Sequence, residues 1–160
     1  MQELIRVAVD AMGGDNAPAE IVKGAVEALK ASTDLKVILV GQEEAVQQEL
    51  SKYQYDASRM EVVNATEIIE MAEPPVQAIR SKKDSSIVVA MKLVKNGEAD
   101  AFVGAGSTGA VLVGGQLIVG RLKGVERPPL APLLPTRVHR GCPIVYPSCD
   151  SGASCRGSTS

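Results

Sequence analysis

The chain has 160 residues and a mass of 16.7 kDa, with 45% hydrophobic and 22% charged residues, which excludes a disordered polymer and allows one ordinary core. Three Tyr, one Phe and no Trp leave few rings to stack on single-stranded bases, and a net charge of -2 offers no basic footprint for nucleic acid. No run reaches the roughly 18 apolar residues of a membrane span, and Met1 to Met12 lack the pattern of a secretory signal, which predicts a cytoplasmic protein.

The first 120 residues alternate β-rich runs with amphipathic helical patterns. Leu4 to Asp10 reads as a strand, Ala11 to Asn16 as a Gly-containing loop, and a helix opens near Pro18 with Asn16 as candidate cap. Val22, Val26 and Leu29 continue at helical spacing. Leu35 to Val40 is a near-continuous apolar strand stopped by Gly41, and Gln42 to Tyr53 a polar helix with Ala45, Val46 and Leu50 inside. Met60 to Val63 is a shorter strand. Thr66 to Lys83 reads as irregular, broken by Pro74-Pro75. Asp84 to Asn96 is a helix with an Asp or Ser cap and Gly97 as stop. Asp100 to Val103 is a strand, and a Gly-rich turn feeds an apolar helix from Ser107 to about Gly120. Apolar strands alternating with helices predict a parallel sheet covered on both faces, a doubly wound α/β domain or most of one.

Ligands of such sheets bind beyond the carboxyl ends of the strands, and three segments fall there or near it. The first is Asp10-Ala11-Met12-Gly13-Gly14-Asp15-Asn16. Its paired glycines let backbone N–H groups turn inward as an anion nest, aided by the following helix start. Asp10 and Asp15 are candidates to orient a substrate, hold a lysine or bind a divalent metal. The same pattern also describes a tight βα turn with a solvated Asp and a cap. The second segment is Gly104-Ala105-Gly106-Ser107-Thr108-Gly109, a formal G-x-G-x-x-G between strand and helix. A dinucleotide site also wants an acidic residue closing the next strand, and Leu122 to Pro132 offers only Glu126 beside Arg127-Pro128-Pro129. A phosphate or oxyanion cradle remains, with Ser107 and Thr108 adding hydroxyls. The third is Arg80-Ser81-Lys82-Lys83-Asp84-Ser85-Ser86, cations followed by capping residues, which suits a phosphorylated ligand or, equally, a solvated basic loop.

Two other chemistries are weaker. Ala105 to Gly109 is one residue away from a serine nucleophile elbow, but the only histidine, His139, lies far along the chain. His139, Cys142, Cys149 and Cys155 lack the short paired spacings of a structural zinc site.

The run Val7 to Pro18 (VAVDAMGGDNAP) resembles the opening signature of bacterial phosphate acyltransferases of phospholipid synthesis, the PlsX family. Ala72 to Ser86, Asp100 to Ala110 and Gly124 to Thr136 resemble its following motifs in the same order. The resemblance implies a cytoplasmic homodimer with a Rossmann-like three-layer α/β/α fold, peripherally membrane-associated at full length and without a cofactor or metal. It implies transfer of a fatty acyl group from acyl-[acyl carrier protein] to inorganic phosphate, giving an acyl phosphate for a membrane glycerol-3-phosphate acyltransferase.

Such chemistry needs an anion cradle, a cation and an oxyanion stabiliser rather than a covalent nucleophile. The expected catalytic set is Asp10, Lys82 and Lys83. The expected phosphate- and substrate-binding set is Gly13, Gly14, Asp15, Asn16, Ser81, Asp84, Ser85, Ser86, Gly104, Gly106, Ser107, Thr108 and Gly109. A phosphotransacetylase-like enzyme using acyl-CoA, and a non-catalytic unstable fragment, are the alternatives.

Family members are about twice as long. All three Cys, the single His and five of the twelve Ser follow Thr136. Residues 1–136 are therefore expected to be the N-terminal part of a truncated acyltransferase domain with weak or no activity alone. Residues 137–160 are expected to be an anomalous tail from a shifted reading frame or a wrong gene model.

Overall fold

A computed structural model of the chain describes residues 4–125, together with the backbone of two short strands at 133–134 and 142–143. The chain divides into two units, Met1–Gly120 and Arg121–Ser160. In the first unit, β1 (Ile5–Asp10), β2 (Leu35–Gly41), β3 (Met60–Asn64) and β4 (Ala101–Val103) form a sheet in the order β3-β2-β1-β4. Every pairing in it is parallel, with Val7 opposite both Val37 and Ala101. In the second unit, β5 (Leu133–Leu134) pairs antiparallel with β6 (Cys142–Pro143). The rest of the 137–160 tail, with His139, Cys149, Cys155 and the Cys142 side chain, lies outside the described residues.

Because successive strand residues point to opposite faces, β2 divides its apolar side chains between two layers. Val37 and Leu39 pack with Val22, Val26 and Leu29 of α1 (Ala19–Ala31) and Val46 and Leu50 of α2 (Glu43–Leu50). Ile38 and Val40 pack with Ala8 and with Ala90 of α4 (Ser86–Lys95) on the other side. There α3 (Pro75–Ser81) and α5 (Thr108–Gly114) join α4 through Ile79, Ile87, Met91 and Ala110. Gly114 sits against Met91 Sδ, so the two helices approach without an intervening Cβ. The unit is the expected three-layer α/β/α arrangement.

Several local expectations need correction. Thr66 to Lys83 is not irregular throughout: Pro74 is the N-cap and Pro75 the first residue of α3. A proline at that position sacrifices no intrahelical hydrogen bond, so Pro74-Pro75 opens a helix where breakage was expected. Asn16 does not cap α1 with its side chain; Pro18 is the N-cap, and Asn16 contributes its carbonyl, which accepts the Glu20 N–H at 3.2 Å. α2 stops at Leu50 rather than Tyr53, and α4 opens at Ser86 rather than Asp84. The last helix is α only to Gly114 and continues as a π turn over Gly115–Val119.

Two arginines tie the layers at their rims. The Arg6 guanidinium and backbone N–H both reach the Asp100 carboxylate, joining β1 to the residue before β4. Arg59 donates to the Ser32 carbonyl at 2.7 Å and the Leu29 carbonyl at 3.1 Å, satisfying the end of α1, while its Nε pairs with Asp56. Arg59→Met is expected to lower stability by about 1–2 kcal/mol, read as the urea midpoint, because charge-assisted bonds to orphan carbonyls are lost.

Candidate anion site at the reversal of strand order

Strands β1, β2 and β3 run outward in sequence on one side, and β4 returns to the other side of β1. The order therefore reverses between β1 and β4, the place beyond which parallel sheets of this kind bind ligands. Both glycine motifs are loops leaving the carboxyl ends of those two strands.

They touch. A Cβ on Gly13 would collide with the Asp10 carboxylate and stand 2.8 Å from the Gly106 nitrogen. A Cβ on Gly106 would lie 3.2 Å from Gly13 Cα and 3.5 Å from Asp10 Oδ2. Gly14 has φ +98°, a conformation that L side chains rarely adopt, and a Cβ there would stand 3.2 Å from the Ala105 carbonyl oxygen. The glycines are required by close approach at Gly13 and Gly106 and by dihedral angle at Gly14.

Asp10 lies beneath this contact and is only 1% exposed. Its Oδ1 accepts the Met12 N–H at 3.0 Å. Burial pushes its carboxyl above the ordinary aspartate range, opposed by hydrogen bonds from the Ser86 hydroxyl and the Met12 and Gly13 backbone. Ser86 is buried at the first turn of α4, which brings that helix start to the same carboxylate. Next to it the Ser85 hydroxyl is fully buried and has no hydrogen-bond partner among the described residues. Ser107 is the N-cap of α5, and its Oγ accepts the Ala110 N–H at 3.3 Å. Asp15, Asn16, Gly104 and Thr108 are exposed at the rim, with Gly109 half-buried.

The basic segment is arranged differently. The Lys82 ammonium donates to the Ile68 carbonyl at 2.7 Å and pairs closely with the Glu73 carboxylate, holding that acid below its ordinary range. Lys83 is exposed, and its ammonium has no partner among the described residues. Ser81 returns its hydroxyl to the Gln77 carbonyl at 2.8 Å. The Asp84 carboxylate accepts from the Thr66 hydroxyl and backbone N–H, which lowers its pKa, and its own N–H donates to Glu67. Lys82 and Asp84 thus fasten the chain between β3 and α4 to itself. That segment also approaches the second glycine turn, where Pro75 Cγ would stand 2.7 Å from a Cβ on Gly109.

The sequence reading missed Glu73, Thr66 and the Pro75–Gly109 contact. The signal for the last was present: proline at a helix start, with Ala78 and Ile79 spaced to face inward. Among the described residues, no group of three or more His, Cys, Asp or Glu is placed to hold a metal ion, and no helix is long and apolar enough to cross a membrane.

A parallel sheet with helices on both faces, and two glycine turns meeting where its strand order reverses, defines a doubly wound α/β protein. Among solved structures, a phosphotransacetylase from Streptococcus pyogenes matches with a TM-score of 0.54 at 24% identity, over 78% of this chain and 40% of that one, a likeness of fold alone. The chain belongs to the FA_synthesis family: the model described as "Fatty acid synthesis protein" matches residues 5–154. A phosphate acyltransferase of Clostridioides difficile (strain 630) is 47% identical over 152 residues, 95% of this chain and 44% of that protein. One of Desulfitobacterium hafniense (strain Y51) is 55% identical over 133 residues, 83% of this chain and 39% of that protein. The chain spans less than half the length of these curated relatives.

Proposed function

We propose that the chain carries the phosphate-binding part of an acyltransferase that moves a fatty acyl group from acyl-[acyl carrier protein] to inorganic phosphate. A phosphate oxygen attacks the thioester carbonyl, the C–S bond breaks, and the thiol leaves with a proton; the products are acyl phosphate and free carrier protein. The contact of the two glycine turns over Asp10 is the observation that carries this reading. Turns closed to Cβ atoms bring backbone N–H groups up to a small anion, as a phosphate or a developing oxyanion requires.

In this reading Gly13, Gly14, Asp15, Asn16 and Gly104 to Gly109 form the cradle, and Asp10 holds its two walls in place. Ser85 and Ser86 present the α4 start to the anion; Ser85, whose buried hydroxyl has no partner among the described residues, has a donor to offer it. Lys83 is the cation with its charge uncommitted, whereas Lys82, Ser81 and Asp84 shape the neighbouring segment. The complete protein acts in the cytoplasm as a homodimer, and its acyl phosphate passes to a membrane acyltransferase.

Lys83→Ala, at the matching position of a full-length relative, is expected to raise the half-saturating phosphate concentration about tenfold through loss of a charge-assisted contact. Lys82→Ala is expected to act mainly on stability. An unchanged phosphate dependence in both variants sinks the cradle assignment. The phosphotransacetylase-like fold favours a second reading, transfer from acyl-CoA. Rates with acyl-carrier and acyl-CoA donors, each with and without phosphate, separate the two.

Residues 1–136 are the part of the acyltransferase domain present here, and 137–160 depart from it. Because the family match itself runs to residue 154, translation of all three frames around codon 136 tests that division. Sizing and thermal unfolding of the 160-residue chain test whether it is a stable fragment; a sharp transition in a soluble dimer counts against an unstable one.

A further inference from the structure

A buried carboxylate stands directly beneath the place where the glycine turns would receive an anion. Asp10 Oδ2 is the atom that a Cβ on Gly13 would strike, and the same Cβ would stand 2.8 Å from the Gly106 nitrogen. Oδ2 and the Gly106 N–H therefore flank one methyl-sized gap. An anion drawn to that N–H is held close to a second negative charge whenever Asp10 is ionised.

No cation offsets the pair. Asp10 is 1% exposed, and its hydrogen bonds come from the Ser86 hydroxyl and the Met12 and Gly13 backbone, all neutral donors. The strand alongside presents Val40 opposite it. The charged groups of the neighbouring elements are engaged elsewhere or lie at the surface. Arg6, at the far end of β1, reaches Asp100. Asp84, ahead of α4, accepts from Thr66, and Lys92 of α4 donates to the Lys83 carbonyl. Lys82 pairs with Glu73, and Asp15 is exposed at the rim. Asp10 thus meets an incoming anion with neutral groups on every side.

We propose, resting on the anion-site reading above, that this site is proton-linked: an oxyanion seated in the glycine turns is bound together with a proton taken up by Asp10. The physical reason is like-charge repulsion in a buried place, which disfavours the ionised carboxyl once the anion is present. Burial already favours the neutral acid, so the two effects act in one direction. The linkage is reciprocal: the anion raises the affinity of Asp10 for its proton, and the proton raises the affinity of the turns for the anion by the same factor. Anion affinity is then greatest where Asp10 is already protonated in the free chain. It falls as pH rises through the Asp10 titration of the complex. Occupancy of the site responds to pH through a residue that solvent scarcely reaches.

The test uses sulfate, which stays a dianion across the range in which phosphate changes its own protonation. Sulfate is titrated into the isotope-labelled 160-residue chain at about pH 5 and about pH 8. The readouts are the backbone amides of Gly104 to Gly109 and the side-chain carboxyl carbon of Asp10. Sulfate is expected to bind about tenfold more tightly at the lower pH and to raise the midpoint of the Asp10 carboxyl titration by about one pH unit, the same factor. Asp10→Asn, neutral at every pH, is expected to lose the pH dependence and to bind sulfate at the higher pH as tightly as the parent does at the lower. An Asp10 midpoint that sulfate leaves in place, while the amides move, overturns the proposal alone. Equal tightening at low pH in parent and Asp10→Asn also overturns it, since the overall charge of the chain would then be the cause. The carboxyl readout needs no variant and decides the matter even where Asp10→Asn does not fold. Failure of the phosphate reading looks different: sulfate and phosphate both leave Gly104 to Gly109 unmoved at either pH, and both inferences fall.

Discussion

Gly13→Ala is expected to lower the unfolding free energy by about 3 kcal/mol and to abolish phosphate-induced shifts at Gly104 to Gly109. The added methyl would overlap the Asp10 carboxylate and stand 2.8 Å from the Gly106 nitrogen. Neither neighbour can yield cheaply. Asp10 is buried and tied to Met12, and Gly106 is backbone in the opposing turn. The two turns must separate, so the effect falls on fold and anion site together. Two other glycines give the scale. Gly14→Ala places a Cβ at φ +98° and is expected to cost about 1–2 kcal/mol through backbone conformation. Gly24→Ala, within α1 and with nothing within 4 Å of the new atom, is expected to stabilise by about 0.5–1 kcal/mol. Urea midpoints for the three variants check the ranking, and a Gly13→Ala chain as stable as the parent would mean that the turns are not in contact.

Asp10 produces the second large effect. Asp10→Ala is expected to cost about 2 kcal/mol by leaving the Met12 N–H and the Ser86 hydroxyl without their acceptor in a buried place. Asp10→Asn keeps the shape and separates charge from packing. Burial raises the Asp10 pKa in the folded state, so that state binds the proton more tightly than the unfolded chain does. The resulting stability is complete below the ordinary value of 3.8 and is lost as pH rises through the raised folded value. The parent chain should therefore lose stability relative to Asp10→Asn as pH climbs from 3.8 toward neutrality. Asp56, Asp84 and Asp100, all exposed, and the half-buried Glu73 are shifted downward, but they are common to both proteins and cancel in the difference. A pH-independent difference would show that Asp10 does not titrate as a buried acid.

The sheet was legible because its strands are apolar through their length, and the helices because α1, α2 and α4 repeat apolar residues at helical spacing. α3 was hidden by Pro74-Pro75, whose meaning depends on whether it falls inside a helix or at its first turn. That both glycine loops follow strands and precede helices could be read from the chain alone. Their mutual contact could not, since nothing in two distant motifs states that β4 will lie beside β1. The lysines were the hardest. Composition marks Lys82 and Lys83 as equals, and only the fold supplies Glu73 and the Ile68 carbonyl to one of them. A charge is visible in a sequence, whereas the partner that neutralises it is a property of three-dimensional neighbours.

The position of β1 between β2 and β4 also has a kinetic meaning. β1 finds β2, and β2 finds β3, after short excursions of the chain, each filled by a helix that forms locally. β4 must close onto β1 across nearly the whole unit, as the 94-residue separation of Arg6 and Asp100 records. Closure over such a span is entropically unfavourable and late, since it gains nothing until the intervening layers have been ordered. The wall that Gly106 supplies to the nest thus arrives with the final pairing of the sheet, and a partly folded chain would hold one glycine turn with no surface opposite it.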